Sequence, residues 1–255
     1  MDYLKNINSH IRDKCLSFNE QKHIYTINGD SNYISVTTLV NDNFEKFDAD
    51  DIINKMMNSK YWYKNKYYGK KIDEIKLLWE NNRILSAELG TKLHFDIEAY
   101  YNNSPQDNNS IEYTYFMNFV ENNINLKPYR TEWMIYDEKL KIAGSIDIVF
   151  MNKDNSLMIY DWKRSKNIIK TKSFLKYSNN ETISHIPDTN FWHYSIQLNV
   201  YKAIIEKKYN KIVSKMVLVC LHPSNKNYII YNVPNLQNEI HSLFNIRMNL
   251  LNTLK

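Results

Sequence analysis

The chain has 255 residues, 43% of them hydrophobic, which excludes a disordered chain and is enough for a sizeable core. Its formal net charge is +5, compatible with a polyanionic partner without demanding one. Two cysteines, Cys15 and Cys220, cannot build a four-thiolate zinc site or an iron–sulfur cluster, and such sparse use suits a reducing, intracellular compartment.

The first residues, "MDYLKNINSHIRDK", contain no apolar leader segment, and no apolar run approaches a membrane span. The expectation is a soluble protein made and used inside a cell. No repeat or linker divides the chain, so residues 1–255 read as one unit. An N-terminal part spans 1–84, a core 85–235 and a closing helix 236–255.

In chain order, "HIYTINGDSNYISVTTLV" (23–40) reads as two short strands around an Asn-Gly-Asp turn. "ADDIINKMMNSKYW" opens with aspartates suited to cap a helix. "KYWYKNKYYGKK" (60–71) interleaves aromatics with lysines, a mixture that either stacks on bases or packs between helices. "IDEIKLLWENNRILSAELGTKLHFDIEAYYN" carries apolar residues at helical spacing, with Gly90 as a break or a point of close approach. "IEYTYFMNFVENN" is a second amphipathic helix. "YRTEWMIYD", "KIAGSIDIVFM" and "SLMIYDWK" then read as three strands joined by short turns. A lysine-rich loop, a helix (190–210), two strands and a last helix follow. This order predicts an α/β fold with helices layered on a mixed sheet.

The chemistry lies in the middle strands. A carboxylate inside a buried strand is costly unless it is paired or binds a metal. Asp147 and Asp161 sit on successive strands joined by a short turn, which can set them side by side. Two anions that close repel, and a divalent cation relieves the repulsion. Oxygen ligands without thiolate point to Mg²⁺ or Mn²⁺. Lys163 shares a strand face with Asp161, where an ammonium orients or deprotonates a water, or stabilises charge on a phosphate. The competing interpretation is a strand-end Asp–Lys ion pair with an unrelated Asp147.

Four short patterns occur in order: "GTKLH" (Gly90–His94), "GSID" (Gly144–Asp147), "DWK" (Asp161–Lys163) and "QLNVY" (Gln197–Tyr201). Together they resemble the RecB-like branch of the PD-(D/E)XK nuclease superfamily, whose members include mitochondrial genome-maintenance, phage and viral nucleases. The resemblance covers roughly residues 85–235. It implies a restriction-endonuclease-like mixed central sheet flanked by helices, with an N-terminal helical region. It further implies one or two metal ions held by His94, Asp147, Asp161 and the Trp162 carbonyl. Gln197 and Tyr201 would stand against the scissile phosphate and Lys163 as part of the catalytic set. Glu98 shares a helix face with His94 and reads as solvated or as a guide for its ring. Glu132 reads as a supporting acid or a surface charge.

From Trp162 to Asn180 there are six basic residues and no acidic ones. Arg164, Lys166, Lys170, Lys172 and Lys176 are therefore candidate phosphate contacts, or simply a solvated loop. The pattern lacks the cysteines of cluster-containing relatives and any G-x-x-x-x-G-K-[ST] helicase signature. The expected activity is a metal-dependent DNase, first an exonuclease on single-stranded ends. A structure-selective endonuclease and a silent DNA-binding protein remain as alternatives, and a replication or recombination protein as a partner.

Overall fold

A computed structural model describes residues 1–171 and 176–253. The chain opens with α1 (Tyr3–Ile7) and a small hairpin, β1 (Leu16–Asn19) and β2 (Ile24–Ile27). The Asn-Gly turn forms as its residues predict. Asn28 and Gly29 both take positive φ, 50° and 84°, and Ile27 bonds to Asp30 across it. The strand after it does not pair back. β3 (Ile34–Ser35) joins the central sheet instead, and "VTTLVN" folds as α2 (Val36–Asn41), because the Ser35 side chain caps its first turn. The true partner of β2 is β1, a strand that the reading of residues 23–40 did not include.

Asp48 caps α3 (Ala49–Met57) through the amide of Asp51. The long helix α4 (Ile72–Tyr101) follows and runs unbroken through Gly90, with no neighbouring atom within 4 Å of where a Cβ would stand. The expected break and close approach are both absent, because no other element packs on Gly90 where its Cβ would be. Residues 81–89 are exposed at every position, while Ile75 on one side and Leu93, Ile97 and Ala99 on the other are buried. A helix α5 (Ile111–Asn122) then precedes the sheet.

The three predicted middle strands are β4 (Lys127–Asp137), β5 (Ile142–Met151) and β6 (Leu157–Lys163), with β5 antiparallel to both β4 and β6. After α6 (Asn190–Lys208), β7 (Val213–Cys220) runs parallel to β6, and β8 (Ile229–Asn232) closes that edge. The last helix is α7 (Gln237–Thr253). The result is the expected α/β plan: a six-stranded mixed sheet with helices on both faces and an N-terminal helical region. Among the described residues no helix is long and apolar enough to cross a membrane.

Two cores flank the sheet. Leu93 and Ile97 of α4 and Phe116 and Phe119 of α5 pack on Ile148, Phe150, Tyr160 and Trp162. The other face packs α2, α6 and α7 on Trp133, Ile135, Ile146 and Val149. Ile146 and Ile148 would share one face of a regular strand, yet they enter opposite cores. β5 therefore changes face at Asp147. On β4, Thr131 bonds to Asn102 at the end of α4, while Trp133 enters the other core. The residue between them, Glu132, has φ +40°, a left-handed value rare for a non-glycine residue.

Candidate metal centre

The sheet opens where the carboxylates lie. β5 and β6 pair from Met151↔Leu157 to Ile148↔Tyr160 and then part. The next pair would be Asp147 with Asp161. Farther along, the same edge of β5 is taken by β3, at Ile142 and Ala143. The short turn between β5 and β6 thus brings both aspartates to the mouth of a fork, as their spacing implies. Across it the Trp162 amide donates to Asp147 Oδ2 at 2.8 Å.

His94 reaches the same fork from α4. Its Nε2 lies 2.9 Å from the Trp162 carbonyl, and its Nδ1 lies 3.6 Å from Asp147 Oδ2. The carbonyl expected to bind metal therefore faces the imidazole in this structure. The register of β4 and β5, Thr131↔Ile148 and Trp133↔Ile146, sets Glu132 opposite Asp147. Ser145 Oγ donates to Glu132 Oε2 at 2.9 Å. Ligand atoms of His94, Glu132 and Asp147 all lie within 4.8 Å of one another. Glu132 is thus neither a surface charge nor remote from the centre. Its strained backbone turns its carboxylate toward the fork.

Asp161 stands beside this trio and faces Lys163, with Oδ2 to Nζ at 2.6 Å. Burial, then the charge of Asp147, push its carboxyl up to about 6. Glu132 is pushed up to about 8 by burial and by Asp147. Burial pulls the Lys163 ammonium toward neutrality, but Asp161 and Asp147 outweigh it and raise its pKa. The crowding of anions is what a cation would relieve. Asp161 Oδ2 is buried next to the trio, with the Lys163 ammonium as its partner. Three carboxylates, one imidazole and a nearby carbonyl fit a hard divalent cation.

Helix α6 contributes differently than its motif implies. Gln197 Nε2 donates to the Tyr201 hydroxyl at 3.0 Å, and Tyr201 is buried against Gly144. A Cβ on Gly144 would meet Tyr201 Cε1 at 2.8 Å, so the glycine of "GSID" makes room for that ring. Burial raises the Tyr201 hydroxyl well above its ordinary pKa, so it stays protonated. The aromatic on Lys163 is Tyr194, whose ring centre lies 4.6 Å from Nζ. Sequence reasoning missed Tyr194. It sits one helical turn before Gln197 and Leu198, on the face that carries Tyr201.

The basic loop is partly neutralised from outside itself. Arg164 Nε pairs with Glu112 of α5 at 2.7 Å with both side chains largely buried, so it serves the fold and is not a free phosphate contact. Lys176 pairs with Glu45 on the surface. Lys166 is exposed, and Lys170 is exposed with Nζ 4.6 Å from the Phe191 ring centre. Lys172 lies outside the described residues. In the segment 60–71, Tyr61, Tyr63 and Tyr68 are exposed, while Tyr67 accepts a bond from Trp79. Glu98 is half-buried, and burial raises its carboxyl, so it is not the solvated group its helix position implied.

No family model matches the chain, and no curated protein matches it. Solved structures do match at a distance. One is the crystal structure of SSO0001, at 16% identity and a TM-score of 0.39, covering 98% of this chain and 82% of that one. Another is a "Putative exonuclease" from Eubacterium rectale, at 11% identity and a TM-score of 0.40, covering 87% and 79%. Likenesses this remote decide neither fold nor chemistry, and both rest on the chain's own residues.

Proposed function

We propose that the chain is a metal-dependent DNA nuclease that hydrolyses phosphodiester bonds, acting as an exonuclease on single-stranded ends. The observation that carries this reading is the Asp161–Lys163 pair at 2.6 Å, set beside Asp147 where β5 and β6 part. Asp147, Asp161, Glu132 and His94 would hold Mg²⁺ or Mn²⁺. When bound, such an ion supplies Lewis acidity toward a phosphoryl oxygen and lowers the pKa of a coordinated water.

The chain's own groups do the rest. Asp161 and Asp147 keep Lys163 protonated. It therefore acts as a donor and a fixed charge, orienting the attacking water and holding charge that grows on the phosphate. The Tyr194 ring limits where that ammonium can swing. Gln197 and Tyr201 brace Gly144, and with it the strand that carries Asp147. Lys166, Lys170 and the lysines and tyrosines of residues 60–71 are the available contacts for a nucleic-acid backbone and its bases.

The test uses Asp161→Asn and Lys163→Met, which remove one charge each but keep most of the side-chain volume that truncation to alanine would delete. Both should lose about 10²- to 10⁴-fold in cleavage rate, the range expected for one positioned acid–base or charge group. Their circular dichroism should match the wild type. Wild-type turnover in either variant removes the assignment.

A further inference from the structure

A groove of about 630 Å³ opens beside the donor trio, shares His94 and Glu132 with it, and is also lined by Ser145, which donates to Glu132. Three large apolar side chains form part of its walls. Phe18 comes from β1, Met134 from β4 and Phe95 from α4, next in sequence to His94. Phe95 is 48% exposed, an aromatic left uncovered next to a ligand residue. Phe18 is held in place by Tyr25, at 4.4 Å between ring centres, and by the edge of His23 at 5.1 Å.

The charged residues of this groove are Glu20, Glu98 and Glu132, and no lysine or arginine lines it among the described residues. A phosphate would find acidic side chains and no lysine or arginine there. A flat, neutral ring with N–H donors would meet stacking faces and acceptors. Gly90 also lines the groove. Nothing stands within 4 Å of a Cβ at that position, so a side chain would project into open space without meeting the protein.

We propose that this groove takes the nucleobase of the nucleotide next to the scissile phosphate, unstacked between Phe95 and Phe18, with Glu20 and Glu98 accepting from its N–H groups. The proposal rests on the nuclease reading and deepens it. A base held in a duplex cannot enter, so the groove itself imposes the demand for a single strand. Gly90 keeps the entrance clear.

The experiment compares cleavage of a single-stranded oligonucleotide with the same strand made abasic at its 5′ or its 3′ terminal nucleotide. Stacking of one base is worth roughly a tenfold change in affinity or more. The wild type should cleave the intact strand about tenfold faster than one of the abasic strands, within that same range. In Phe95→Ala and in Gly90→Leu the ratio should fall to within about twofold of one. A wild-type ratio near one, or an unchanged ratio in both variants, overturns the base site and leaves the nuclease reading standing. No metal-dependent cleavage of any strand removes the nuclease reading, and the base site with it.

Discussion

Single residues at the fork carry a pH signature. Glu132 has its carboxyl raised from the ordinary 4.5 to about 8, and Asp161 from 3.8 to about 6, both first by burial and then by Asp147. The folded state therefore favours their protonated forms. The stability that this contributes is full below the ordinary carboxylate range and is lost as pH rises through the raised values. In EDTA, the melting temperature should fall as pH rises from about 5 to about 8. Glu132→Gln should flatten that fall, and a melting series across pH decides it. Mg²⁺ or Mn²⁺ should restore most stability at the high end, where the carboxylates are ionised. A wild-type profile flat in EDTA contradicts the raised carboxyls.

Arg164 illustrates what sequence leaves out at this scale. The loop around it holds no acid, so it reads as a phosphate contact, yet its partner Glu112 lies 52 residues away on α5. Arg164→Ala should therefore lower stability, by about 3 kcal/mol as for other broken buried pairs, more than it weakens binding to DNA. Denaturant unfolding and DNA titration of the same variant separate the two effects.

At the scale of elements, two glycines make opposite predictions. Gly144 is enclosed: a Cβ would stand 2.8 Å from Tyr201 Cε1 and 3.0 Å from Val36 Cγ2. Gly144→Ala should cost about 1–3 kcal/mol as overpacking, and it should slow cleavage because it displaces the strand bearing Asp147. Gly90 is open. Gly90→Ala should stabilise the exposed middle of α4 by about 1 kcal/mol, the helix penalty of glycine. Thermal melts of the two variants should shift in opposite directions. The period-two pattern and the short turns made β4, β5 and β6 readable, and with them Asp147, Asp161 and Lys163. β1 was not readable. It is four residues long and exposed or half-exposed throughout, so it carries no strong burial pattern. The place of Glu132 depends on a left-handed φ that no local pattern announces. Tyr194 needed the helix face, which the five-residue motif Q-x-x-x-Y leaves half described.

For the whole molecule, the fork between β5 and β6 and one long helix together make the centre. β5 parts from β6, β4 turns Glu132 inward, and α4 delivers His94. The helix order and the mixed sheet followed from the alternation of helical and strand periods, whereas the partner of β2 and the packing of α6 on Gly144 are long-range outcomes. All of these features support one proposal, that the fork is a metal-dependent phosphodiesterase site. The measurement that tests it most directly is incubation of the purified protein with end-labelled linear and circular single-stranded DNA. Each is run with Mg²⁺, Mn²⁺ or EDTA, beside Lys163→Met. The account predicts loss of the linear substrate only, with metal only, and not in the variant. Cutting of the circle would replace the exonuclease with an endonuclease at the same centre. Cleavage that persists in EDTA or in Lys163→Met would contradict the central claim.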